Sequence, residues 1–409
     1  MKKIYFFAAL AAVALASCSN DETVAQYQGE AISFRPLMNS VTRSSSTADV
    51  TTFSGGSFYV TAITNDATPV TYISDIEYKD NSGVYFVDAN AATNKYANEY
   101  YWPSSSTLDF YAYNKPTTGV SNQTYKSYVL TPPTTSDATF SDVVYATIQD
   151  IGKNTSNGNS STYGAAGVPL NFRHTASKIS VNVKNTAQKL KFEIEGWKVA
   201  FLHPSGTFTL SETSTANSPS QSYLAFGDWA QSGTKAVTVE YVSTFTPQTI
   251  NANTTSATNL ATELANTVGM GSMILVPQRI TAATAYTANT ANGDGITSGE
   301  AVNNSYIAVK MKIKDATSGI VIADNGSGEA IWVIWPIGDN GGETPFNWLP
   351  GKHYTYTIDL AGGGYYEKNN KDINPSSTAL DPVLDGAVIK FVDVTVDSWD
   401  PVAESVAMP

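Results

Sequence analysis

Tyr306-Ile307-Ala308-Val309-Lys310-Met311-Lys312-Ile313-Lys314 is the stretch that decides the fold class. Ile307, Val309, Met311 and Ile313 alternate with Ala308, Lys310, Lys312 and Lys314, a period of two that puts one face of a strand in a core and the other in water. The same period recurs in Ile179, Val181 and Val183 against Ser180, Asn182 and Lys184. It recurs again in Leu190, Phe192 and Ile194 against Lys191, Glu193 and Glu195. Further strands are expected near 83–87, 108–113, 237–242, 273–276, 331–334, 354–360 and 387–396. Stretches rich in Ser, Thr, Asn and Gly, such as 154–162 and 251–258, supply the turns. Only 257–268 offers a short helix. The pattern predicts an all-β chain built from β-sandwiches. A length of 409 residues gives room for two domains, and the break at 185–189, between two strong strands, sets their boundary near residue 187.

Composition narrows the function. A charged fraction of only 15%, with 23 Tyr and 16 Phe, excludes intrinsic disorder. A net charge of -12 argues against a nucleic-acid partner, because phosphate neutralisation needs a basic surface. The single cysteine excludes internal disulfides.

That cysteine belongs to the amino terminus. Lys2 and Lys3 precede an apolar stretch, 4–16, too short to span a bilayer as a lasting helix, so residues 1–17 read as a signal peptide. Its end, Leu15-Ala16-Ser17-Cys18, resembles the bacterial lipobox. The resemblance implies cleavage before Cys18 and acylation of its thiol and new amine, giving the several chains that stable anchoring in an outer-membrane lipid layer needs. No second apolar stretch approaches the roughly 20 residues of a spanning helix.

A search for catalytic chemistry finds no motif. His174, His203 and His353 are the three histidines, and none begins a His-Glu-x-x-His pattern. Gly295-Ile296-Thr297-Ser298-Gly299 has Thr where a nucleophile elbow needs Ser, and Gly269-Met270-Gly271 lacks the third glycine of a dinucleotide fingerprint. The acidic runs 324–329 and 339–343 lack the alternating ligands of a calcium loop and read as hairpin turns. No cofactor and no metal site is expected. Paired carboxylates of a glycosidase are a spatial arrangement that sequence hides. Tyr100-Tyr101-Trp102, Trp332, Trp335, Trp348 and Tyr365-Tyr366 read either as sugar-stacking platforms or, more commonly in strands, as packing between sheets.

Several segments, taken in order, resemble the fimbrillin family, the type V pilins and pilus-associated lipoproteins of Bacteroides-type bacteria. They are Ala31-Ile32-Ser33-Phe34, then Val41-Thr42-Arg43-Ser44, then Tyr101-Trp102-Pro103 with Leu108-Asp109-Phe110-Tyr111-Ala112-Tyr113. Asn171-Phe172-Arg173-His174-Thr175-Ala176-Ser177-Lys178-Ile179 follows, with Met273-Ile274-Leu275-Val276-Pro277-Gln278, Trp348-Leu349-Pro350-Gly351-Lys352-His353-Tyr354-Thr355-Tyr356 and Val394-Thr395-Val396-Asp397-Ser398-Trp399.

The resemblance implies two tandem transthyretin-like β-sandwich domains, 44–187 and 188–409, behind a propeptide, 18–43. It implies that an arginine-specific protease cuts between Arg43 and Ser44, removing the lipid together with a first strand containing Ile32, Phe34 and Leu37. Pro36 would confine that strand to a sheet edge. The groove left behind would accept a strand from another fimbrial subunit. Strand addition has a physical warrant in open backbone groups and alternate side-chain pockets, and a heterologous contact of this kind propagates without closing. The donor would come from 387–409, where Val392, Val394 and Val396 alternate cleanly and Val402, Val406 and Met408 continue the row. The same residues also suit an ordinary last strand. The leading expectation is therefore a polymerising, adhesive subunit of a surface fimbria, first an outer-membrane lipoprotein and then extracellular. A fimbrial anchor or tip subunit, a monomeric glycan-binding lipoprotein and, last, a hydrolase are the alternatives.

Overall fold

A computed structural model describes residues 31–38, 57–81, 85–88, 100–134, 141–152, 167–211, 226–259, 272–280, 288–289, 295–296, 305–337, 348–366, 381–382, 384 and 391–398. Apart from a 3-10 turn at Leu360–Gly362, the named elements are strands, as the period of two requires. The first half holds β1 (Phe34–Met38), β2 (Ser57–Thr64), β3 (Thr71–Asn81), β4 (Tyr85–Asp88), β5 (Leu108–Tyr113), β6 (Val120–Ser121), β7 (Ser127–Leu130), β8 (Val144–Ile151) and β9 (Val168–His174). Next come β10 (Ser177–Asn185), β11 (Leu190–Leu202), β12 (Ser205–Leu210), β13 (Gly227–Ser232), β14 (Ala236–Ile250), β15 (Thr254–Asn259), β16 (Met273–Leu275), β17 (Ala288–Asn289) and β18 (Gly295–Ile296). The last are β19 (Tyr306–Asp315), β20 (Val321–Ala323), β21 (Ile331–Pro336), β22 (Lys352–Asp359), β23 (Tyr365–Tyr366), β24 (Asp381–Pro382) and β25 (Phe391–Ser398).

Seven strands, in the order β1-β4-β3-β2-β5-β8-β9, close into a barrel. All its pairings are antiparallel except β1 with β9, which runs parallel from Phe34↔Val168 to Met38↔Phe172 and makes the closure. Closure removes the free edges that an open sheet would present. Inside lie Ile32, Phe34, Phe58, Val60, Ala62, Ile73, Tyr78, Phe110, Leu170 and Phe172, all buried.

The second half forms two larger sheets over one core. One sheet runs β15-β10-β22-β25, with β16 on β10; the other runs β14-β11-β19-β21-β23-β24, with β20 on β19. Ile307, Val309, Met311 and Ile313 of β19 face the core between them. There they meet Ile179, Val181 and Val183 of β10, Phe192, Ile194 and Trp197 of β11, and Tyr354, Tyr356 and Ile358 of β22. On the opposite face, Lys310 pairs with Glu195 at 2.7 Å and Lys314 with Glu193 at 2.5 Å. Ala308 departs from the expected solvent face: it is buried in a smaller cluster with Ala200, Tyr306, Trp332 and Ile334. Beside that cluster, the buried Lys198 donates to Glu240 at 2.6 Å and sits 4.8 Å from the Trp332 ring centre.

The change of sheet falls at Thr175 and Ala176, ahead of the boundary expected near 187. β10 pairs with β22 across seven register positions and sends its apolar row into the same core as β11, so a division between β10 and β11 would split one core. The short helix expected at 257–268 begins instead in β15, with Asn182↔Asn259 and Val183↔Thr258 in register; the residues after 259 lie outside the described ones.

A fourth sheet, β13-β12-β7-β6, takes strands from both halves. β6 and β7 leave the barrel between β5 and β8, and β12 and β13 leave the second half between β11 and β14. β7 and β12 then pair from Ser127↔Thr209 to Leu130↔Gly206. Beneath them Tyr113, Tyr145 and Tyr128 stack in sequence, with ring centres 5.3 Å and 5.8 Å apart, and continue to Phe208 and Trp229. Gly206 is required there, since a Cβ would stand 2.6 Å from Val276 Cγ1. Burial holds the Tyr128 and Tyr145 phenols well above their ordinary range.

Candidate functional site: the slot filled by the first strand

The first strand has a sequence suited to a core slot. Ile32, Phe34 and Pro36 are buried, so Pro36 extends the alternate row that Ile32 and Phe34 begin. Leu37 pairs opposite Asn171 of β9. The Ile32 amide donates to the Tyr100 carbonyl at 2.7 Å, and the Val168 amide donates to the Ser33 carbonyl at 2.8 Å. With Ser33 facing β9, the backbones of residues 34 and 36 face the β4 side. Among the described residues the register there is Phe34↔Phe86.

Phe34 is fully buried at the centre of an aromatic cage. Its ring meets Tyr78 at 4.7 Å, Phe110 at 5.4 Å and Phe58 at 6.2 Å, all edge-to-face. Phe58 in turn contacts Phe172 at 5.3 Å, and Phe110 contacts Trp102 at 5.9 Å. The three rings around Phe34 come from β2, β3 and β5, so one side chain ties those three strands to β1. Edge-to-face pairs of this kind each add about 0.5–1.5 kcal/mol beyond burial. The slot's chemistry is shape and apolar contact, with the β9 backbone supplying direction.

At the other end of the chain, β25 pairs antiparallel with β22 from Lys352↔Ser398 to Ile358↔Phe391. Val392, Val394 and Val396 lie on this strand, engaged in their own sheet, and Val396 is 41% exposed. Cys18, Arg43, Ser44, Val402, Val406 and Met408 lie outside the described residues.

The sugar-platform reading loses its tryptophans. Trp102, Trp332, Trp335 and Trp348 are all buried, because rings of this size contribute more by filling the space between sheets than by facing water. Trp348 Nε1 donates to the Tyr356 hydroxyl at 2.8 Å inside the second core. Tyr365 and Tyr366 pair with Pro382 and Asp381 at a sheet edge.

The histidines stand apart from one another. His174 bonds Asp142 at 2.7 Å, His203 the Gly233 carbonyl at 2.9 Å, and His353 the Ser180 hydroxyl at 2.8 Å. Among the described residues no three metal-ligating side chains gather. The run 324–329 forms a turn closed by Asn325 and Glu329, whose backbones bond at 3.0 Å, with Gly326 and Gly328 at positive φ; it is a loop between β20 and β21.

Sequence reading overlooked the cage. Phe58-Tyr59-Val60-Thr61-Ala62 carries the period of two that would have revealed β2, and Phe58 falls on its buried row.

The sequence matches the fimbrillin-like family over residues 42–381, and the chain belongs to that family. It is a structural protein rather than an enzyme. Residues 1–19 match the prokaryotic membrane lipoprotein lipid attachment site, which makes it a membrane-anchored lipoprotein of the cell surface. No curated protein matches the sequence. Among solved structures, a fimbrial protein from Bacteroides vulgatus is similar at 11% identity and a TM-score of 0.46, with 90% of this chain and 99% of that one covered. The fimbrial anchor protein Mfa2 from Porphyromonas gingivalis is similar at 10% identity and a TM-score of 0.24, with 84% and 89% covered. At such scores these likenesses carry no argument of their own; the family match carries the membership.

Proposed function

We propose that this fimbrillin-like lipoprotein is a polymerising subunit of an adhesive surface fimbria, assembled by exchange of its first strand. In this reading acylated Cys18 holds the exported chain in the outer membrane. An arginine-specific protease then cuts between Arg43 and Ser44, and a strand of another subunit takes the place of residues 31–38. The observation that carries the reading is the position of β1. It is the first described strand, it lies ahead of Arg43, it closes the barrel through one parallel pairing, and it buries Ile32 and Phe34 at the core's centre. Its departure would open β9 to pairing and uncover the cage, the two things strand addition uses.

The test is the amino-terminal residue of the protein recovered from cells, together with its state of assembly. Ser44 at the start of chains found in high-mass, strand-linked species is expected. Chains that begin at acylated Cys18 in every assembled form, or cut chains that stay monomeric with accessory subunits present, would refute it.

One observation favours a second reading. β25 is paired along its length with β22, so Val392, Val394 and Val396 would have to leave a sheet before being donated. A subunit that accepts a strand and keeps its own, as an anchor or end subunit would, suits that arrangement. A fibre extending from both ends of the purified protein would exclude it. We further propose a two-unit organisation with its joint at 175–176, the barrel on one side and the paired sheets on the other.

A further inference from the structure

A row of aromatic rings in contact runs from the shared sheet to the barrel surface. Between ring centres, Trp229 lies 5.6 Å from Tyr128, Tyr128 5.8 Å from Tyr145, Tyr145 5.3 Å from Tyr113, and Tyr113 6.4 Å from Tyr59. The middle three are buried, and the rings at both ends are partly exposed. Indole and phenol are the aromatic side chains that give up an electron most readily, and rings in contact pass the vacancy along quickly. The proton decides where it stops. An oxidised phenol is a strong acid, so it settles as a neutral radical beside a base.

The buried phenols differ in this respect. Tyr128 donates to the Thr175 hydroxyl at 2.6 Å, whose own proton goes to the Val143 carbonyl. Tyr145 donates to the Thr124 carbonyl at 2.6 Å. Neither a hydroxyl nor a peptide carbonyl takes up a proton near neutrality. Tyr113 donates instead to Asp75 Oδ1 at 2.5 Å, a carboxylate within reach of direct transfer. The backbone holds that carboxylate in place. Asp75 has a φ of 54°, at a bulge where the register slips between Val60↔Ile76 and Ala62↔Ile73, a conformation that a non-glycine residue keeps only when its surroundings impose it. Lys115 bonds the other carboxylate oxygen. Its ammonium is 4.0 Å from the Tyr59 ring centre and 5.7 Å from that of Tyr113, so its charge opposes a vacancy on Tyr59 more than on Tyr113.

We propose that Tyr113 is the site at which one-electron oxidation of this protein settles, with Asp75 as proton acceptor and Tyr128 and Tyr145 as the relay from Trp229. The co-reactant is a one-electron oxidant such as a peroxide-derived radical. The oxidant takes one electron, the Tyr113 O–H bond breaks, the proton passes to Asp75 Oδ1, and a neutral phenoxyl remains beside a carboxylic acid. A one-electron reductant returns the electron, and the proton goes back. Oxidation is thereby drawn away from Tyr128 and Trp229, whose bonds to Thr175 hold the shared sheet.

The experiment oxidises the full-length protein with photogenerated tris(bipyridine)ruthenium(III) and reads the freeze-trapped radical by electron paramagnetic resonance. The variants are Tyr113→Phe, Asp75→Asn and Tyr145→Phe, each checked for native strand dichroism; Asn tolerates positive φ, so Asp75→Asn keeps the backbone. The wild-type protein is expected to give a tyrosyl signal with a proton coupling that disappears in D2O, from the hydrogen bond of the new carboxylic acid. Tyr113→Phe should remove most of that signal, and Asp75→Asn should lower it severalfold and abolish the exchangeable coupling. Tyr145→Phe should leave an indole radical that the wild-type protein lacks. A signal unchanged in Tyr113→Phe would overturn the site. Yield and coupling unchanged in Asp75→Asn would overturn the proton acceptor, and no indole radical in Tyr145→Phe would overturn the relay.

Discussion

The barrel and the paired sheets that follow it solve the same problem in opposite ways. In the second half, β11 and β19 are long neighbours paired from Leu190↔Asp315 to Ala200↔Tyr306, and each sends a continuous apolar row into one core. The barrel has shorter strands, and its closure falls to β1, five residues at the start of the chain. One core is redundant in its contacts, and the other depends on one short strand for its closure. Local stability need not be uniform, and elements that move are drawn from the less redundant end.

The comparison can be broken in four ways. The largest effect is expected from alkali. Burial raises the phenols of Tyr128 and Tyr145 at the shared sheet and of Tyr241, Tyr306 and Tyr356 in the second half, and pushes Tyr354 up to about 12. Unfolded phenols ionise near pH 10 while the folded ones stay protonated, so the unfolded state loses protons first and stability falls as pH rises through that window. For the fully buried Tyr128 and Tyr356 the loss is about 1.4 kcal/mol each per pH unit. Because such phenols lie in both regions, tyrosinate absorbance and loss of strand dichroism should rise in one transition; two resolved transitions would uncouple the regions.

Next are the core truncations. Trp197→Ala should cost about 3–5 kcal/mol in urea unfolding, and Phe34→Ala about 3 kcal/mol. Their distribution matters more than their size. Hydrogen exchange should lose protection in β4 and β9 for Phe34→Ala with β19 unchanged, and equal loss in both halves would contradict the asymmetry. A smaller effect concerns Lys198, nearly buried beside half-exposed Glu240. Glu240→Ala should destabilise by about 1–2 kcal/mol because it strands a buried cation, whereas Lys198→Met should be close to neutral; the reverse order would show that the ammonium is better solvated than its contacts imply. Least is expected from Glu195→Gln on the outer face, under about 1 kcal/mol and vanishing in high salt.

The β19 row was legible because alternation persisted over four buried residues with lysines between them. Phe34 was legible as an apolar alternate, but its partners were not, since Phe58, Tyr78 and Phe110 are brought together only by barrel closure. Pro36 falls on the buried row because the strand keeps its period of two through the proline. The shared sheet was illegible for a different reason. Ser127-Tyr128-Val129-Leu130 and Ser205-Gly206-Thr207-Phe208-Thr209-Leu210 are short, rich in Ser, Thr and Gly, and interrupt other sheets, so each looks like a loop until its partner from the other half is known. The boundary near 187 rested on 185–189, which is turn-rich, and a turn between strands that share one core resembles a linker in sequence.

The joint at Thr175 and Ala176 has a mechanical meaning. Thr175 takes the Tyr128 hydroxyl at 2.6 Å and gives its own to the Val143 carbonyl at 2.7 Å, while its carbonyl accepts from Trp229 Nε1 at 2.7 Å. The Ala176 carbonyl accepts from the Gly351 amide at 2.8 Å. With the β7·β12 ladder alongside, a bend there would have to tear a sheet and unstack tyrosines together. Among the described residues, then, the two halves meet at a shared ladder and a row of stacked rings rather than at a bare linker.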